Sequence, residues 1–346
     1  AARLGRRQRV DTNELDAEAT VNATLASGLA FSPKYRAQMR AVDTLVLIAR
    51  RSGGDLEHDR IARMSEALSE SGLSAHCYAY WPDPREAYVQ SADGDALERR
   101  WTLKQLAERH PEARLVLASD GAELIDGYSG KPHAWTAEFA SWQRRALLTP
   151  RSLDEMRPSA PMLMQRLGFA LGNSNARGLE ALPELLRVDA DAEGPAPVSI
   201  AEHAEGLPAF AHNESEALSE AAPSEREIAI LLTELELYLG RSGLVWLAAI
   251  ASAGDPTFES ALFFGFQLRG ADGAVIYNEA LLSKMTRLPW LRHGWFPRWL
   301  KQRLMKTLRT PERRLVKRAL IDLLYETPPL ERAQVSVTRL HKWLPT

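Results

Sequence analysis

LVLIARRSGGD, Leu45 to Asp55, opens on five consecutive apolar residues and closes on a Ser-Gly-Gly turn. An apolar run of that length, flanked by polar residues and leading into a Ser-Gly-Gly loop, is too short for a helix and reads as a strand buried on both faces, as in parallel sheets. The pattern recurs from Val42 to about Leu186. VDTLVLIA (Val42 to Ala49), SAHCYAYW (Ser74 to Trp81), ARLVLAS (Ala113 to Ser119) and RRALLTP (Arg144 to Pro150) read as strands. Between them Ile61, Met64, Leu68 and Leu73, then Trp101, Leu103 and Leu106, then Trp135, Phe139 and Trp142 fall at helical spacing. Strands alternating with helices predict a doubly wound, mostly parallel α/β sheet.

Outward from that core, LDAEATVNATLASG (Leu15 to Gly28) predicts a helix stopped by Gly28, and PMLMQRLGFALG predicts an apolar helix after the last strand, with ALPELL (Ala181 to Leu186) continuing the packing. The composition then turns acidic and rich in Ala, Pro, Gly and Ser from Val188 to Pro223, which predicts a linker. Ser224 and Glu227 have capping-box spacing, and Ile228, Leu231, Leu232, Leu235 and Leu239 follow at helical period up to a stop at Gly240. Helices centred on Trp246, Phe263, Leu281, Leu300 and Leu320 follow. The expected organisation is an α/β domain at 1–187, a linker at 188–223 and an all-α domain at 224–346.

At 346 residues the chain is long enough for two cores, and 45% hydrophobic with 25% charged residues is globular composition. A net charge of -2 argues against a chain-wide polyanion binder. The single cysteine, Cys77, excludes an internal disulfide and favours a reducing, cytoplasmic setting. The longest apolar candidate, LVWLAAIASAG from Leu244, is about half the roughly 20 residues of a membrane span. The chain begins Ala-Ala-Arg-Leu without an initiator methionine, as expected of a piece of a longer polypeptide.

RRQRVDTNELDAEATVNATLASG followed by KYRAQMRAVDTLVLIARRSGG resembles the approach to the von Willebrand factor A (vWA) fold of CoxE-like bacterial proteins. In that family a strand ends in a metal-site motif, D-x-S-x-S. Laid on it, Arg50 takes the aspartate position, Ser52 keeps the first serine and Gly54 replaces the second. LVLASDG matches a later strand that ends in Asp-Gly, at Asp120 and Gly121, whereas WPDP (Trp81 to Pro84) stands where a threonine ligand is expected. The stretch RLPWLRHGWFPRWL, Arg287 to Leu300, resembles an L-P-W-x-R-x-G-x-x-P-x-W-L signature of the same bacterial multidomain proteins, some of them in MoxR ATPase or conflict-system settings.

A guanidinium supplies only donors and a permanent positive charge, so Arg50 should exclude a cation that needs hard oxygen ligands. Two placements follow: Arg50 ion-paired with Asp120 in the cation's place, or Arg50 turned to solvent. The resemblance with a disabled metal site implies a non-catalytic interaction or regulatory module. Its contacts lie at the C-terminal edge of the sheet: Arg50, Arg51, Ser52, Asp55, Trp81, Asp83, Asp120 and Glu123. The implied partner is a MoxR-type AAA+ ATPase or another domain of the parent chain, with no cofactor and no metal.

Other candidates carry less. Gly127 to Lys131 lacks the glycine and the hydroxyl residue of a phosphate loop and reads as a surface turn. The eight histidines form no H-E-x-x-H or H-x-x-x-H arrangement, Cys77 lies inside a strand, and no G-x-S-x-G marks a nucleophilic serine. From Lys284 to Arg318 about a dozen Lys and Arg residues alternate with Trp290, Trp295, Phe296 and Trp299. Those aromatics build a helical core under a solvated basic face, or they stack on nucleic acid or an anionic surface contacted by Arg292, Arg298, Lys301, Arg303 and Arg314.

Overall fold

The computed structural model describes residues 8–28, 30–40, 43–70, 74–89, 100–151, 156, 160–186, 198–199, 207–254 and 256–326. They divide into unit 1, residues 1–50 and 60–204, and unit 2, residues 51–59 and 205–346.

Unit 1 starts with an antiparallel pair, β1 (Gln8–Leu15) and β2 (Tyr35–Arg40), joined through α1 (Ala17–Ala26). Asp16 caps α1 by accepting the Ala19 amide at 3.0 Å, and Gly28, at φ +70°, follows its end as the spacing predicts.

The main sheet is built from β3 (Thr44–Ala49), β4 (Ala75–Tyr80), β5 (Glu86–Val89), β6 (Arg100–Thr102), β7 (Arg114–Ala118), β8 (Arg145–Thr149), β9 (Phe169–Asn173) and β10 (Val198–Ser199). Its order is β10-β9-β8-β7-β3-β4-β5-β6, parallel except for the pairings of β5 with β4 and with β6. This is the doubly wound, mostly parallel α/β class expected from the sequence, joined in one chain to a helical region. Alternation along the strands feeds two cores. Leu45, Leu47, Leu115, Leu117, Leu147 and Leu171 face α3 (Leu103–Arg109), α4 (Ala160–Arg166) and the 3₁₀ run Ala134–Ser141, around Trp142 and Phe139. Val46, Ile48, Val116, Ala118, Ala146 and Leu148 lie on the other face, with Ile61 and Ala62 of α2 (Leu56–Glu70) and Leu182 and Leu185 of α5 (Ala176–Leu185).

The expected helix PMLMQRLGFALG needs correction, since only its first half is helical. α4 ends at Arg166, Gly168 turns the backbone at φ +78°, and Phe169 to Gly172 run on as the buried strand β9. A short continuous apolar run does not by itself distinguish helix from buried strand; the glycine between the two segments does.

Unit 2 contains a 3₁₀ turn at Ala209–His212, then α6 (Glu214–Ala217), α7 (Glu225–Ser252), α8 (Phe258–Gln267), α9 (Glu279–Thr286), α10 (Pro289–His293), α11 (Arg298–Thr307) and α12 (Thr310–Glu326). Ser224 and Glu227 form the predicted capping box, with the Glu227 amide donating to Ser224 Oγ at 3.3 Å and the Ser224 amide to Glu227 Oε2 at 2.8 Å. Gly240, at φ +69°, interrupts α7 where a stop was expected, and helical structure resumes at once. Pro289 and Pro297 stand at helix starts. Residues 207–223, expected as linker, are built into unit 2. Phe210 stacks on Trp290 at 5.3 Å, and the indoles of Trp290 and Trp299 donate to the carbonyls of Ala217 and Ser219 at 2.8 and 2.9 Å. A few aromatic anchors hold that segment without a sustained apolar period. Residues 188–197 and 200–206 lie outside the described residues.

The opening loop also belongs to unit 2. Leu56 is fully buried in its core. Asp55, also fully buried, caps α2 by accepting the amides of Glu57 and His58 at 3.1 and 3.2 Å, and it takes the Arg51 amide at 2.9 Å. Its Oδ1 lies 3.2 Å from Arg292 Nε, an ion pair rather than a well-aimed hydrogen bond. Ser52 Oγ donates to the Arg292 carbonyl at 3.3 Å, and Thr286 Oγ1 donates to Glu57 Oε2 at 2.5 Å. At Gly54 a Cβ would stand 2.8 Å from Gly294 Cα, so the two backbones pass in contact.

Candidate functional site at the edge of the sheet

In a doubly wound sheet, ligands bind beyond the carboxyl ends of the strands where the winding direction reverses. Here β3 is the first strand of the parallel core, with β4 on one side and β7 on the other, so that point lies between β3 and β7. Arg50 leaves β3 and donates its amide to the Tyr80 carbonyl at 3.0 Å. Asp120 leaves β7 and uses both oxygens: Oδ1 accepts the Ala122 amide at 3.1 Å, and Oδ2 meets Arg151, just past β8, at 3.0 Å. Arg151 is fixed in turn, because its amide donates to Thr149 Oγ1 at 3.2 Å and its carbonyl accepts from Asn173 Nδ2 at 3.3 Å.

Tyr80 donates its hydroxyl to Glu123 Oε1 at 2.6 Å. Burial and then the Asp120 charge push the Glu123 carboxyl above the usual range, which the Tyr80 hydrogen bond partly offsets. Burial and the adjoining Glu123 carboxylate hold the Tyr80 phenol well above its ordinary value. Trp81 is 56% exposed at the end of β4, followed by Asp83, which is paired with Arg85 at 2.8 Å. That hydrogen-bonded arginine lowers the Asp83 carboxyl.

Of the residues expected at this edge, unit 1 brings together Arg50, Trp81, Asp83, Asp120 and Glu123. Arg51, Ser52 and Asp55 take their contacts inside unit 2, where Arg51 also pairs with Glu214. Asp55 is corrected as a partner contact, because a fully buried carboxylate has no surface to offer. Arg151 and Tyr80 were missed. Neither carries a local motif, and both reach the site only through strand order.

The basic region is likewise divided. Trp290, Phe296 and Trp299 are buried in the unit 2 core, and Arg292 is buried against Asp55, which corrects it as an external contact. Lys301 donates to the Gly254 carbonyl at 3.0 Å, Arg303 pairs with Glu225, and Arg298 and Arg314 are exposed. The Gly127–Lys131 stretch is the expected surface turn, with the Tyr128 and Ser129 amides on Asp126 Oδ1 at 2.9 and 2.7 Å. The Cys77 thiol is pushed up to about 11 by burial, as suits a packed thiol rather than a nucleophile.

At the opposite end of the strands Asp43, His76 and His110 each offer an oxygen or nitrogen within 4.8 Å of the others. Among the described residues no helix is long and apolar enough to cross a membrane. No protein-family model matches the chain, and no curated protein or solved structure shows significant similarity to it.

Proposed function

We propose that the chain is a non-catalytic, protein-binding module, related to degenerate vWA domains, which presents the C-terminal edge of its unit 1 sheet to a partner. Trp81 carries this reading: a large indole, more than half exposed, stands beside a fixed Asp83–Arg85 pair at the edge where such folds bind ligands. Indoles and arginines are the side chains that dominate binding energy in protein interfaces. The polar groups at the switch point support recognition over chemistry, because they engage one another: Asp120 with Arg151, and Glu123 with Tyr80. Through the vWA resemblance the partner is a MoxR-type AAA+ ATPase or another part of a bacterial multidomain system.

The test is capture of a MoxR-type ATPase by the purified chain at about 0.1 M and about 1 M salt, with the wild type and Trp81→Ala. Retention in high salt by the wild type and loss by the variant is expected. Capture of nucleic acid instead, released by high salt and unaffected by Trp81→Ala, would transfer the function to exposed cations of unit 2 such as Arg298 and Arg314.

A further inference from the structure

The amino ends of the parallel strands gather three groups that no sequence motif links. Asp43 precedes β3, His76 is the second residue of β4, and His110 caps the end of α3. Thr44 pairs with Ala75 on one side and with Arg114 on the other, so the starts of β4, β3 and β7 lie side by side. The Arg114 amide donates to the Asp43 carbonyl at 2.9 Å, and the Ala113 amide to the His110 carbonyl at 3.2 Å, which brings the end of α3 to the same place. The His76 and His110 rings approach to 4.5 Å between centroids.

We propose that Asp43, His76 and His110 form a binding site for a divalent transition-metal ion of the zinc class. Two imidazoles with one carboxylate are the donor set of open zinc and iron sites, whereas magnesium and calcium take oxygen ligands. Donors around a tetrahedral zinc stand about 3.4 Å apart for bonds of roughly 2.0–2.1 Å. The ligand atoms, all within 4.8 Å of one another, therefore close on an ion with small side-chain movements at Asp43 and His76, both of which reach solvent.

His110 is the anchored member. Its Nε2 lies 3.2 Å from the Tyr78 hydroxyl, and its carbonyl accepts the Trp142 indole N–H at 3.2 Å. A hydrogen-bond partner on a ligating histidine sets the orientation and tautomer of the ring. Burial, then the neighbouring His76 and Arg109, lower the His110 imidazole below its ordinary value. Among the charges acting on His110, that of Asp43 favours a cation and that of Arg109 opposes it. Three protein ligands leave a coordination position open to water or a further donor.

Isothermal titration of zinc chloride into the metal-free full chain at pH 7.5, with cobalt absorption as a second readout, tests the site. One equivalent should bind with a dissociation constant of about 1 µM. Tyr78→Phe should weaken it about tenfold, as loss of an outer partner does, and His76→Ala or Asp43→Asn should weaken it more. Wild-type binding weaker than about 100 µM overturns the proposal. So does zinc binding unchanged in the Asp43→Asn/His76→Ala double variant, which keeps the other histidines.

Discussion

Arg292→Met should destabilise unit 2 strongly, and much less once Asp55→Asn is added. The carboxylate of Asp55 is completely buried, the Arg292 side chain is 8% exposed, and Oδ1 and Nε are 3.2 Å apart. At an effective dielectric of about 20, that separation corresponds to an attraction of about 5 kcal/mol before desolvation is counted. Removing one member of such a pair leaves a buried charge uncompensated and costs about 3–5 kcal/mol, whereas replacing both removes the penalty. Asn keeps an oxygen for the Glu57 and His58 amides, so the helix cap survives and the double variant should lose only about 1–2 kcal/mol.

The pH dependence distinguishes this from simple loss of packing. Burial raises the Asp55 carboxyl above its ordinary value, and Arg292 is the first influence pulling it back. A carboxyl raised on folding contributes stability that is complete below the ordinary carboxylate range and lost as pH rises through the folded value. Without Arg292 the folded value rises further. The deficit of Arg292→Met should therefore be largest at neutral pH and shrink on acidification. Urea unfolding followed by tryptophan fluorescence at pH 7 and pH 5, with unchanged denaturant slopes, measures both effects. A loss below about 1 kcal/mol at pH 7, or strictly additive effects of the two substitutions, would refute the assigned pairing.

Gly54→Ala should lower the melting temperature through a loss of about 1–3 kcal/mol, because the added Cβ meets the Gly294 backbone at 2.8 Å. Gly294→Ala should cost more, since its φ of +72° is strained for alanine and its Cβ would stand 2.6 Å from Gly54 Cα; thermal denaturation of both variants checks the order. Cys77 should resist a thiol reagent at pH 8 in the native chain and react at once in urea, because its thiol sits at about 11. Trp81→Ala should leave the unfolding free energy within about 0.5 kcal/mol of the wild type while abolishing partner capture, as an exposed contact residue does.

The strands expected around Leu47, Tyr78, Leu117 and Leu147 were legible because a continuous apolar run between polar turns is what a strand covered on both faces requires. The strand at Phe169 was hidden by the helix directly before it, with one glycine between them. The strand β5, next to the edge strand β6, opens on Glu86 and Ala87 instead of a β-branched run, and its place depends on pairing with β4 and β6. At the sheet edge Asp120 was legible from its position after an apolar run, but Arg151 was not, because the ion pair exists only once β7 and β8 lie side by side. Asp43, His76 and His110 were opaque for the same reason. Groups gathered from the starts of two strands and the end of a helix leave no spacing signature in the chain.

The opening stretch is accounted for by packing before any partner or ion is invoked. Gly54 is glycine because the Gly294 backbone passes against it, Asp55 is acidic because it caps α2 and faces Arg292, and Leu56 fills the unit 2 core. Two stretches read separately in the sequence, RSGGD from Arg51 and LPWLRHGW from Leu288, are thus complementary parts of a single unit. A residue already committed to folding is weak evidence for an external role. The argument for binding passes instead to side chains that the fold exposes without needing them, and Trp81 is the largest of these at the sheet edge.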